Sequence, residues 1–135
     1  MRSNTVKKFI TLILVAIIGL SLVSCGSTYE KIYNQLIEEI PSGIDYPKSQ
    51  IPTILTAYEE AYGLKGNVLS MADFSTLGQY GDTVAELYIY VYEFELEEDA
   101  VYWYGEMLDD GWKFVQVKDN VVIYGSNSLI NDIKL

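Results

Sequence analysis

The chain has 135 residues, of which 19 are acidic and nine basic, for a formal charge of −10; half are apolar, one is cysteine and none is histidine. The apolar and aromatic share excludes a disordered chain, and the acid excess excludes nucleic acid or charge-driven adhesion to anionic lipid, both of which need clustered Lys and Arg. One cysteine excludes an internal disulfide, and the lack of histidine removes the commonest general base and transition-metal ligand.

Arg2, Lys7 and Lys8 form a basic start with no acid before Glu30, and Phe9 to Val23 is an apolar run broken only by Thr11, Gly19 and Ser21. The run is shorter than the roughly 20 residues that cross a hydrocarbon core. A short apolar stretch between basic and small residues is the pattern of a secretory signal; the other reading is an uncleaved anchor helix. The run ends in Leu22-Val23-Ser24-Cys25-Gly26. An aliphatic residue, a second aliphatic, a small residue and then cysteine resembles the lipobox of bacterial lipoproteins, and the resemblance covers residues 1–25. It implies that the Cys25 thiol carries a diacylglyceryl group, that a signal peptidase cuts between Ser24 and Cys25, and that residues 1–24 are removed. Two acyl chains suffice for stable membrane attachment. Beyond that covalent lipid, no cofactor is expected. The resemblance further implies a place on a bacterial cell membrane, facing away from the cytoplasm. Gly26 stands where lipoproteins of two-membrane bacteria carry Asp for inner-membrane retention, so sorting to an outer membrane is open if the organism has one.

Removing residues 1–24 leaves 135 − 24 = 111, enough for one domain. Residues 25–28 then form the lipidated cysteine and a short tether, and residues 29–135 a single domain. Three of the nine bases lie in the removed part, so six bases face 19 acids, a balance of −13.

Ser27 and Glu30 have capping-box spacing, and Ile32, Leu36, Ile37 and Ile40 follow near the helical period until Pro41 and Gly43. A helix is predicted over 28–40, then a loop over 43–50. Pro52 suits a first helical turn, with Ile54, Leu55, Tyr58 and Tyr62 on one face and Gly63 as the stop, which predicts a helix over 51–62. Residues 66–74 read as a strand and 75–83, with Gly78 and Gly81-Asp82, as a loop. Residues 84–95 are the clearest strand: Leu87, Ile89 and Val91 point one way, Tyr88, Tyr90, Tyr92 and Phe94 the other. Two apolar faces make it a central strand.

Glu97, Glu98 and Asp99 suit the first turn of a helix, whose buried face would be Ala100, Val101, Tyr104, Met107 and Leu108, ending at Gly111. Residues 112–117 and 121–124 read as strands joined by a turn at Lys118-Asp119-Asn120, too apolar for alternation to orient them. The tail over 127–135 reads as a short helix burying Leu129, Ile130 and Ile133. The expected fold class is α+β, a two-layer domain with a four-stranded, mainly antiparallel sheet in the order α-α-β-β-α-β-β.

With His absent and Cys25 lipidated, thiol catalysis and Cys/His zinc sites fall away. Ser70, Ser75 and Ser126 have no recognisable partner spacing, and no phosphate-cradling glycine loop follows a strand. Two constellations remain. Glu93, Glu95 and Glu97 alternate in an acid-rich run that would suit a hard cation such as calcium, or would simply be a charged strand end entering a helix. Tyr88, Tyr90 and Tyr92 form a row on one strand face, spaced about 7 Å apart by the ~3.3 Å rise per residue. Such a row can stack a sugar ring or receive a partner's side chains, or can be half-wet packing. The leading expectation is a non-enzymatic, lipid-anchored binding module with an envelope protein or glycan as partner. A small ligand- or calcium-binding lipoprotein is the alternative, and a carboxylate-dependent cell-wall hydrolase ranks last.

Overall fold

The computed structural model describes residues 27–135; Ser24, Cys25 and the apolar run before them lie outside the described residues. Three helices and a five-stranded antiparallel open sheet make an α+β fold. In chain order these are α1 (Thr28–Glu39), β1 (Ile44–Asp45), α2 (Ile51–Tyr62), β2 (Val68–Tyr80), β3 (Thr83–Phe94), α3 (Glu97–Asp109), β4 (Phe114–Lys118) and β5 (Val121–Gly125), closed by a 3-10 turn over Ser128–Asp132. The sheet order is β1-β2-β3-β5-β4.

Local chemistry explains most boundaries. The Ser27 hydroxyl accepts the Glu30 N–H at 3.1 Å, satisfying one of the free donors that begin α1. Pro52 sits in the first turn of α2, and Gly63 ends it in the left-handed region at φ 71°. The three acids Glu97, Glu98 and Asp99 open α3, where the helix dipole favours them.

The expected four strands are five, because the segment over 43–50 contributes β1, which pairs Ile44 with Asp73 and Asp45 with Ala72. The predicted loop over 75–83 is also mostly strand. Residues 75–79 are turn-like in composition, yet each pairs with β3, from Ser75 opposite Tyr88 to Gln79 opposite Val84, leaving Gly81-Asp82 as the turn. A long neighbour whose ladder groups need partners overrides weak local propensity.

The two-layer expectation is corrected to three layers. On one face of the sheet Ile89 and Val91 pack with Ile32 and Leu36 of α1, Val121 and Ile123 of β5, and Ile130 of the tail. On the other, Tyr92 and Phe94 pack with Ile51 of α2, Trp103 and Met107 of α3, and Val122 and Tyr124 of β5. All five β5 residues are buried, and alternate ones serve opposite cores. That is why β5 has no charged side chain to mark an outer face. The buried stripe of α3 is Ala100, Trp103 and Met107; Val101 and Leu108, expected inside, are exposed. Turning the helix so that the larger Trp103 surface is buried gains more than burying either aliphatic.

Candidate binding groove

The period-two alternation of β3 puts Tyr88, Tyr90 and Tyr92 on the face shared with α2 and α3. The structure grades them. Tyr92 is fully buried, whereas Tyr90 and Tyr88 are half-buried, the Tyr88 ring stacked on Tyr90 with centroids 5.9 Å apart. Register then brings Tyr124 of β5 opposite Tyr90, their centroids 5.1 Å apart.

Around this group the sequence-distant aromatics converge into a groove of about 220 Å³. Its floor is Tyr92, Trp103 and Tyr124, with the Tyr124 hydroxyl donating to that of Tyr92 at 3.1 Å. Tyr58 and Tyr62, from the last turn of α2, form one wall; Tyr90 and Trp112 form another. Met107 and Asp110, at the end of α3, close the rim. Three neighbouring pairs stand nearly perpendicular, Tyr58 to Tyr62 at 90°, Tyr90 to Trp112 at 79° and Trp112 to Tyr124 at 71°, while Tyr90 and Tyr124 are tilted by 36°. Perpendicular rings present faces in different directions, so the groove has the walls of a box rather than a flat platform. The buried Trp103 indole N–H makes no hydrogen bond, though it lies near enough to the Tyr124 hydroxyl to draw that group's pKa down against the larger upward push of burial.

Beside the groove, on the same face, Asp73 pairs across strands with Tyr90. Its Oδ2 accepts the Tyr46 hydroxyl at 2.7 Å, whereas its buried Oδ1 has no partner. Burial raises the Asp73 pKa, and the Tyr46 hydrogen bond pulls it back in part. Burial, then the Asp73 charge, push Tyr90 up to about 12. Tyr46, Tyr58, Tyr92 and Tyr124 are raised too, each first by burial. At neutral pH these phenols hold their protons, so they stack and donate but do not act as bases. Tyr88 differs: its hydroxyl donates to Glu86 at 2.6 Å, and that bond raises the phenol and lowers the carboxyl.

The structure does not bring Glu93, Glu95 and Glu97 together. Glu93 accepts from the Ser70 hydroxyl at 2.8 Å, Glu95 accepts from Asn67 beyond the strand end, and Glu97 is exposed on the first turn of α3. Among the described residues no three acids, cysteines or histidines converge as a metal would require. Ser70, for which spacing showed no partner, sits between Lys48 and Glu93: the Lys48 ammonium donates to its oxygen at 2.9 Å and to the Leu69 carbonyl at 2.8 Å. With Lys48 donating on both sides and the serine hydrogen given to Glu93, the trio satisfies a buried hydroxyl rather than activating it. A larger hollow of about 620 Å³ between α1 and the β4–β5 turn is rimmed by exposed Asn34, Lys118 and Lys134.

The row Tyr88-Tyr90-Tyr92 was legible from alternation. Tyr58, Tyr62, Trp103, Trp112 and Tyr124 were not tied to it, because their convergence depends on how α2, α3 and β5 pack. Asp73 carried a signal, a lone acid within an apolar strand, that alternation alone leaves uninterpreted. Comparison of the chain with family models, with curated proteins and with solved structures finds no match.

Proposed function

We propose that the chain is a lipid-anchored, non-enzymatic binding module of a bacterial envelope, held to the membrane through Cys25 and facing away from the cytoplasm. The observation that carries the binding half is the aromatic groove, a recess open to solvent whose lining is rings, Met107 and one carboxylate. Concave, mainly apolar recesses with a few polar groups are the usual form of ligand sites. Burial raises the Tyr58, Tyr90, Tyr92 and Tyr124 phenols, so these hold their protons at neutral pH, which suits recognition rather than base catalysis. The anchoring half rests on Leu22-Val23-Ser24-Cys25, whose resemblance to a lipobox assigns the single cysteine a role.

Metabolic labelling with palmitate in a bacterial host, followed by membrane fractionation, tests the anchor. The full chain is expected to carry label and to sediment with membranes, and Cys25→Ser to lose both; label retained by Cys25→Ser would defeat the lipobox reading. The binding half is tested by crosslinking in the same cells. Adducts on the full chain are expected to disappear in Tyr62→Ala/Trp112→Ala, provided its melting temperature is unchanged. An activity on esters, peptides or glycans that one acid-to-amide substitution abolishes would defeat the non-enzymatic reading.

A further inference from the structure

The one charged residue among the described residues lining the groove is an acid, Asp110. Both α2 and α3 end at it, supplying Tyr58 and Tyr62 from one last turn and Met107 and Asp110 from the other. A helix C-terminus carries the equivalent of roughly half a negative charge on its free carbonyls. Neither last turn contains a basic residue to neutralise it. Asp110 adds a full carboxylate at the rim, and Asp73 adds another beside Tyr90 with one oxygen unpartnered. The rings add to the same field, because the face of an aromatic ring is its negative side.

On the floor the Tyr124 hydroxyl donates to that of Tyr92 at 3.1 Å, and the carboxylate of Asp110 stands at the rim. An alkylated ammonium group asks no hydrogen bonds of the lining. It is a soft cation that takes its stabilisation from ring faces and from carboxylates nearby. Adjacent rings that meet edge to face turn their faces in different directions around a recess of about 220 Å³, which suits a compact, nearly spherical head, whereas a flat ring would prefer a platform.

We infer that the groove between α2 and α3 binds an alkylated ammonium group of the trimethylammonium type, enclosed by Tyr58, Tyr62, Tyr90, Trp112 and Tyr124 and drawn in by Asp110 and the two helix ends. This rests on the binding-module reading above and names its ligand class. The group is the same whether it arrives on a free small molecule or on a phosphocholine headgroup.

The full lipidated chain in neutral detergent is titrated with choline chloride, following tryptophan fluorescence and heat, at ionic strength balanced with sodium chloride. Parallel titrations use phosphocholine, the uncharged carbon isostere 3,3-dimethyl-1-butanol, and N-acetylglucosamine. Choline is expected to saturate in the millimolar range or below and to bind at least tenfold tighter than its uncharged isostere. Choline tighter than phosphocholine identifies a free small molecule, and the reverse a headgroup; either supports the inference. Tyr62→Ala and Trp112→Phe are each expected to weaken choline several-fold. Tyr102→Ala, an exposed ring elsewhere on α3 under Lys65, should not. Equal or tighter binding of the isostere or the sugar overturns the cation inference and leaves a binding module with a neutral ligand. Failure of choline to bind the folded chain also overturns it, and the crosslinking experiment then decides the module by itself.

Discussion

At the residue scale the most consequential side chain is Asp73, a carboxylate placed among phenols with one oxygen satisfied and one not. Burial holds its pKa above the ordinary value, so between about 3.9, the unfolded reference, and the raised native value the folded protein retains a proton that the unfolded chain has lost. Stability therefore falls as pH rises through that window, and the whole of the loss is in place above the native pKa. Asp73→Asn keeps an acceptor for Tyr46 and has no proton to lose. Its urea midpoint, followed from about pH 3 to pH 8, is expected to gain on the wild type as pH rises; parallel curves would show a well-solvated carboxyl. Trp103 is the other residue that packing alone explains. Its indole is buried between Tyr92 and Tyr124, with centroids 6.5 and 6.4 Å away, and its size turns α3 away from the face that the aliphatic periodicity predicts.

At the element scale, α1 and α2 were legible to within a residue because their signals are local: a Ser27 cap, a proline in the first turn, a terminal glycine and apolar spacing near 3.6. The second half of β2 was not legible, because Ser75 to Gln79 become strand only through pairing with β3. β1 is shorter still, two residues whose strand identity exists only as two pairings to β2. One close approach governs the middle of the sheet. Gly125 at the end of β5 lies against β3, where a Cβ would collide with the Tyr88 carbonyl oxygen. That carbonyl accepts the Ser126 N–H at 2.9 Å, and the Ser126 hydroxyl accepts the Tyr88 N–H at 3.0 Å. Gly125→Ala must push the strands apart and lose these bonds, at a cost of about 3 kcal/mol. Urea unfolding of the full chain checks this, and a cost below about 1 kcal/mol would mean that the approach is looser than described.

At the scale of the whole molecule, the sheet is a wall with a core on each side. The α1 core and the α2–α3 core share β2, β3 and β5, whose alternate residues feed one and then the other. Disturbing either core loosens the same strands, so the two should unfold together. Leu36→Ala on one side and Met107→Ala on the other are each expected to cost about 2–5 kcal/mol and to lower one common thermal transition. A second transition in either variant would show that the layers fold independently. The same architecture places the groove: its floor is the outer surface of the α2–α3 core, opened where both helices end.

Sequence alone determined the α+β class, the helix starts and stops, the central place of β3 and the grouping of Tyr88, Tyr90 and Tyr92 on one face. These follow from short-range chemistry and from periods of 2 and 3.6 that need no knowledge of neighbours. Tertiary structure decided the fifth strand, the third layer, the inward turn of Trp103 and the groove itself. Each of these depends on which surfaces meet across many residues of chain, and burial area and ladder pairing set that choice where local propensity is too weak to make it.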